Sequence, residues 1–168
     1  MSTLAETAPA FVDMAHRIVW ATVATVGGDG APTSRILHPL WIWDGEELVG
    51  WIATARSGVK ERHLASNPMV SLSYWAPNHD TCVADCRATF FDDAPTREWL
   101  WDALKSAPPP VGYDPAMVPG WESPESDRFH ALRLDPIALR VFPGTMLLKG
   151  AGEVLAWRKP RIGDPPAV

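Results

Sequence analysis

The chain has 168 residues, 46% of them hydrophobic, and a formal net charge of −5. That size and composition fit one globular domain with a sizeable core. The acidic balance and the lack of any basic block argue against a nucleic-acid or anionic-membrane partner.

No run approaches the roughly 18 apolar residues of a membrane span, and residues 1–10 lack the cationic and apolar regions of a signal peptide. The expected setting is cytoplasmic. Only two cysteines occur, Cys82 and Cys86. On one strand they stand about 13 Å apart, too far for a mutual disulfide or a shared metal ion, and no metal site is expected.

In chain order, residues 7–17 carry apolar positions Phe11, Met14 and Ala15 at helical spacing, continued by Ile18. Residues 18–26 are rich in β-branched side chains and end at Gly27-Gly28-Asp29-Gly30, a strand followed by a hairpin turn. A second strand spans 31–43; Pro39 within it predicts an edge position or a bulge. Asp44-Gly45 turns the chain into a third strand over 46–54. A short helix over 57–66 stops at Asn67-Pro68, because proline disfavours helix at the residue before it. Strands follow over 69–75 and 81–91. In the latter, Cys82, Ala84, Cys86, Ala88 and Phe90 share one face, small enough for a crowded barrel interior.

A helix over 94–106 has an acidic N-cap and Pro95 in its first turn, with Leu100, Ala103 and Leu104 facing inward. Residues 107–127 form one long proline-rich stretch with Tyr113, Met117 and Trp121 as apolar anchors. Such a loop in a compact domain reads as an ordered arm beside a functional site. Two strand segments, 128–134 and 137–142, flank Asp135-Pro136, and a last strand is predicted over 147–157. The resulting organisation is a helical segment over 1–17, a β domain over 18–157 and a loose tail over 158–168. Many short antiparallel strands with few helices predict a barrel or sandwich.

The stretch over 33–68 is the most informative. Arg35 lies on a strand, and Lys60 falls in the first turn of the next helix, for which Ser57 is the expected N-cap. A helix N-terminus attracts anions, and a lysine there opposes the helix dipole unless an anion is bound. The competing reading is an ordinary solvated lysine. His38, three residues after Arg35, reads either as a ligand contact or as a strand histidine satisfied by a neighbour. No Gly-x-Ser-x-Gly elbow, no His-Glu-x-x-His and no Gly-x-Gly-x-x-Gly opening a helix is present. The nine tryptophans read as core and interface packing, with Trp41, Trp43, Trp51 and Trp75 as the expected interface residues.

Arg35-Ile36-Leu37-His38-Pro39, Ala53-Thr54, Ser57, Lys60, Leu64 and the segment 67–74 together resemble the flavin-binding signature of the pyridoxamine 5′-phosphate oxidase-like proteins. The resemblance extends more weakly over 18–142. It implies a mainly β, antiparallel, Greek-key-like split β-barrel with a few short flanking helices, and a homodimer with two cofactors at the interface. It implies that Arg35 and Lys60 hold the FMN phosphate. It further implies that Ile36, Leu37, His38, Ala53, Thr54 and Ser57 line the rest of the cofactor. Arg128-Phe129-His130 is similar to the Arg-x-His motif of true pyridoxamine phosphate oxidases, but it precedes Leu134-Asp135-Pro136 where the family motif follows it, so that activity is not expected. The expected function is therefore FMN-dependent redox chemistry on a small molecule. A reductase using the deazaflavin coenzyme F-420 and a non-catalytic flavin- or haem-binding protein are the alternatives. No catalytic residue is identifiable, since the cofactor supplies the chemistry.

Overall fold

A computed structural model describes residues 2–160. The part of the expected tail over 161–168 lies outside the described residues.

Helix α1 (Leu4–Ile18) begins three residues before the apolar spacing predicts. The cause is a capping box: the Thr3 hydroxyl accepts from the Glu6 N–H at 3.2 Å, and the Thr3 N–H donates to the Glu6 carboxylate at 2.7 Å. The helix also takes in Ile18, which the sequence pattern placed at the start of the first strand; the chain leaves the helix through Val19 at φ 73°.

The strands are β1 (Ala21–Val26), β2 (Pro32–Leu37), β3 (Pro39–Trp43), β4 (Leu48–Thr54), β5 (Met69–Trp75), β6 (Thr81–Phe91), β7 (His130–Phe142) and β8 (Leu155–Arg158). Helices α2 (Gly58–Ser66), α3 (Ala94–Ser106) and α4 (Gly144–Lys149) interrupt them. Every pairing is antiparallel. The order is β2-β1-β5-β6-β7-β4-β3, with β8 on β7. The end strands β2 and β3 are joined through His38 alone, so the sheet curls back on itself into a split barrel. Pro39 opens an end strand, where a missing N–H is tolerated.

Two sequence expectations fail for identifiable reasons. Segments 128–134 and 137–142 are one strand, β7, that runs through Pro136. The proline is tolerated because it falls between the last pairing with β4, at Leu134, and the first with β8, at Ala138. It also lies opposite the register shift at Asp85 and Cys86 of β6. Segment 147–157 is not one strand. Residues Gly144–Lys149 form α4, which Gly150 ends at φ 62°, and only Leu155–Arg158 is extended.

The main core lies inside the curl, where α1 contributes Ala8, Phe11, Met14 and Ala15 against Val23, Ile52, Leu72, Tyr74 and the small face of β6. Cys82, Ala84, Cys86 and Ala88 are buried there as the alternation predicts. Burial pushes both thiols well above their ordinary range, so they behave as small apolar groups. The Trp41 indole N–H donates to the Tyr74 hydroxyl at 2.8 Å in this core. Tyr74→Phe leaves that N–H buried without an acceptor, so we expect a loss of about 1–3 kcal/mol in denaturant unfolding. No measurable loss would mean that the indole finds another partner.

A second core lies on the outer side of β4 and β7. There α3 supplies Leu100, Trp101 and Leu104, and the stretch over 107–127 supplies Val111 and Trp121. Asp93 caps α3 by accepting from the Thr96 N–H at 3.0 Å, as its sequence predicts. The long stretch is thus a structural element. Met117, expected as an anchor, is 79% exposed, and Val111 anchors in its place. Trimming the whole loop would open this core, so its role is better probed by single substitutions.

Candidate functional site

The site forms where the β1–β2 hairpin, the end of β4 and the start of α2 meet. Arg35 lies opposite Val23 in the β1–β2 register, and its side chain reaches back across β1. Its guanidinium donates to the Thr25 hydroxyl at 2.8 Å and to the Val23 carbonyl at 3.4 Å. From the other side, Lys60 leaves the first turn of α2 and donates to the Thr54 hydroxyl at the end of β4. The lysine is only 5% exposed.

The electrostatics of this pair are unusual. Burial, and then the nearby charge of Arg35, push the Lys60 ammonium down to about 8. Burial also lowers Arg35. Among the described residues neither cation pairs with a carboxylate. Buried charges are normally paired. Two neighbouring cations held by neutral oxygens, the hydroxyls of Thr25 and Thr54 and the Val23 carbonyl, make this a locally positive site. The solvated-lysine reading of Lys60 is therefore incorrect.

Ser57 is the N-cap residue of α2, as its position predicts, but its side chain makes no capping hydrogen bond. It is exposed at the same helix end. Arg56 and Arg62 flank the motif without entering the site. Arg56 is engaged by Asp92 and by Glu61, the latter at 2.6 Å, and its guanidinium also lies over Phe90. Arg62 is exposed.

Other predicted residues are distributed around this centre. Ile36 is 58% exposed on the outer face of β2. Leu37 packs against the main core and Ala53 lies in the second core. Thr54 is buried with its hydroxyl on Lys60. His38, at the β2–β3 joint, stacks on Tyr113 with ring centroids 4.9 Å apart and contacts Trp20 at 5.2 Å. Its buried Nε2 has no hydrogen-bond partner, while the Val111 backbone engages the ring. Burial lowers its basicity. Through Tyr113, the stretch over 107–127 comes against a predicted site residue.

His130 takes a structural position, with Nδ1 2.7 Å from Asp92 and Nε2 2.9 Å from the Asp127 carbonyl. A cavity of about 490 Å³ lies elsewhere, against Trp51, Phe91 and Trp99. None of the predicted site residues lines it, and its Arg133 is held by Glu47 and Asp135.

Sequence reasoning missed Thr25 and His63. The Thr25 hydroxyl, besides accepting from Arg35, lies 3.0 Å from His63 Nδ1. A signal was present in each case: Thr25 is the polar member of the inward row Ala21, Val23, Thr25, and His63 stands three residues after Lys60 on the same helix.

The family model described as pyridoxamine 5′-phosphate oxidase matches residues 7–142. Among solved structures, the fold is similar to a protein from Clostridium acetobutylicum related to general stress protein 26 of B. subtilis. The TM-score is 0.65 at 15% identity, covering 87% of this chain and 89% of that one. It is also similar to a pyridoxamine 5′-phosphate oxidase-related, FMN-binding protein from Nostoc punctiforme, with TM-score 0.55 at 19% identity over 85% of this chain and 87% of that one. A third similar structure is described as an F-420 reductase, with TM-score 0.52 at 19% identity over 77% of this chain and 94% of that one. At these identities the structural likeness shows the fold. No curated protein matches the chain.

Proposed function

The chain belongs to the pyridoxamine 5′-phosphate oxidase family, and on that premise we propose that it is an FMN-dependent oxidoreductase acting on a small molecule. The carrying observation is the pairing of buried Lys60 with half-buried Arg35, two cations with no carboxylate partner among the described residues. A phosphate monoester fits them: it brings about two negative charges and several acceptor oxygens. Arg35 would grip it with a planar fork, and Lys60 would act as a point charge. The open N–H groups of α2 after Ser57 add donors of the same polarity. Bound flavin supplies two-electron transfer; the protein supplies orientation and electrostatics.

Coenzyme F-420 is the second reading, favoured by the similar structure described as an F-420 reductase. The absorbance spectrum of purified protein separates the readings: oxidised flavin bands support FMN, a deazaflavin band supports F-420, and a haem band rejects both.

The homodimer belongs to the same proposal. Its support is the outer face beside Arg35. There Trp20, Ile36 and Trp75 are 58%, 58% and 59% exposed, on or next to the adjoining strands β1, β2 and β5. Exposed aromatic anchors of this kind mark interfaces. Trp41 and Trp51, which the sequence reading offered as interface residues, are buried within the protomer and cannot serve. Light scattering should give a dimer at micromolar concentration, and Trp75→Arg should shift it toward monomer. A cofactor-loaded monomer of the unmutated protein would contradict this part.

Tyr113 is proposed to shape the substrate side of the cofactor through His38. Tyr113→Ala should leave FMN retention within about threefold, since it removes no charged contact, and should impair turnover of any substrate found. Loss of FMN instead would place Tyr113 in the cofactor site itself.

A further inference from the structure

We propose that Thr25 and His63 are positioning residues that aim Arg35 into the anion site, an assignment that rests on the phosphate reading above. The Thr25 hydroxyl is fully enclosed and has one hydrogen. Arg35 Nη1 donates to its oxygen at 2.8 Å. The hydrogen of the hydroxyl is then free to be donated to His63 Nδ1 at 3.0 Å. The result is a directed chain from Arg35 through Thr25 to His63, linking β2 and α2, which carry the two cations, through β1.

The fold makes room for that chain. His63 lies against the β1–β2 hairpin so closely that a Cβ on Gly27 would stand 3.0 Å from its Nε2. Asp29 Oδ1 would lie 2.7 Å from the same Cβ. Glycine at 27 therefore permits the imidazole to reach Thr25.

The neutrality of the chain matters as much as its geometry. A carboxylate at position 25 would hold Arg35 more firmly, but it would cancel the charge a phosphate needs. A hydroxyl orients the guanidinium and leaves its charge available. Thr54 does the same for Lys60. The two threonines thus solve one problem: fixing a buried and a half-buried cation without neutralising them.

The test compares Kd for FMN and for riboflavin, which lacks the phosphate, in the full-length protein freed of bound flavin. Thr25→Val keeps the β-branched shape and removes the hydroxyl. It should weaken FMN binding roughly 3- to 10-fold, the range of one hydrogen bond, and leave riboflavin binding unchanged. Thr25→Ser should restore FMN affinity to within about twofold. His63→Ala should act in the same direction, and combining it with Thr25→Val should add little, because both break one chain. FMN affinity unchanged in Thr25→Val, or FMN and riboflavin weakened equally, would overturn the assignment. If Thr25→Val does not fold, His63→Ala decides by the same criteria. An unmutated protein without any FMN preference would instead sink the phosphate reading itself, so the two failures are distinguishable.

Discussion

Replacing Arg35 and Lys60 together by alanine should yield folded protein that is largely free of FMN. Each charge-assisted hydrogen bond to a phosphate contributes about 1.5–3 kcal/mol, so losing one weakens binding roughly 10- to 150-fold. The two cations are adjacent, so their effects need not add, but the double variant should exceed either single one. Folding should survive because neither side chain belongs to the two apolar cores. Arg62→Ala is the suitable control: Arg62 is exposed, makes no ion pair among the described residues, and its variant should lose much less FMN affinity. Arg56 is a poorer control than its position in the motif implies. It is tied to Asp92 and Glu61, and its loss loosens the segment that carries Thr54 and Ser57. Retention of FMN by the double variant would mean that the phosphate, if bound, sits elsewhere.

The second large effect concerns stability without cofactor. Lys60→Met replaces a buried ammonium by an apolar chain of similar length. The ammonium titrates at about 8 in the folded protein against 10.5 as its ordinary value, with burial as the first cause. Between those values the unfolded chain binds more protons, so the stability of the cofactor-free protein rises with pH across that window. Below it the penalty from burial and from the Arg35 charge is fully present, about 3 kcal/mol. Thr54 loses its lysine partner in the variant, which offsets part of the gain. The expected net is a stabilisation of roughly 1–3 kcal/mol near neutral pH, read by urea unfolding. The variant should also lose the rise in stability above pH 8. A destabilised variant, or a wild type whose stability falls through that window, would show that Lys60 is satisfied without an anion. FMN affinity carries the complementary signature: it should increase as the phosphate takes its second charge near pH 6 and decline above about 8 as Lys60 gives up its proton. Function and stability are opposed at this one position, which is common where a site stores charge for a ligand.

Much of this could be read from residue order. The alternation in β6 placed Cys82, Cys86 and their small neighbours inside, and burial in the main core follows. The acidic cap and Pro95 gave α3 its limits. The order of a strand, a hairpin and a helix start suggested Arg35 and Lys60 as a pair with Ser57 as N-cap, and the family resemblance added Thr54.

What was not legible depends on contacts distant in sequence. Pro136 looked like a strand breaker, since nothing local shows that its neighbours on one side change there from β4 to β8. Trp41 and Trp51 looked like interface residues because a sequence does not say which face of a strand meets a core. The burial of Lys60 could not be foreseen, as a lysine at a helix start is ordinarily solvated. Thr25 and His63 come together only when the β1–β2 hairpin packs on α2.

The central claim is that a phosphate completes the charge pair of Arg35 and Lys60. Titration of the flavin-free protein with FMN and with riboflavin tests it most directly, because the two ligands differ only in that group. The account predicts an FMN preference of at least tenfold near pH 7.5 that largely disappears when Arg35 and Lys60 are both alanine. Equal affinity of the unmutated protein for the two flavins would contradict it.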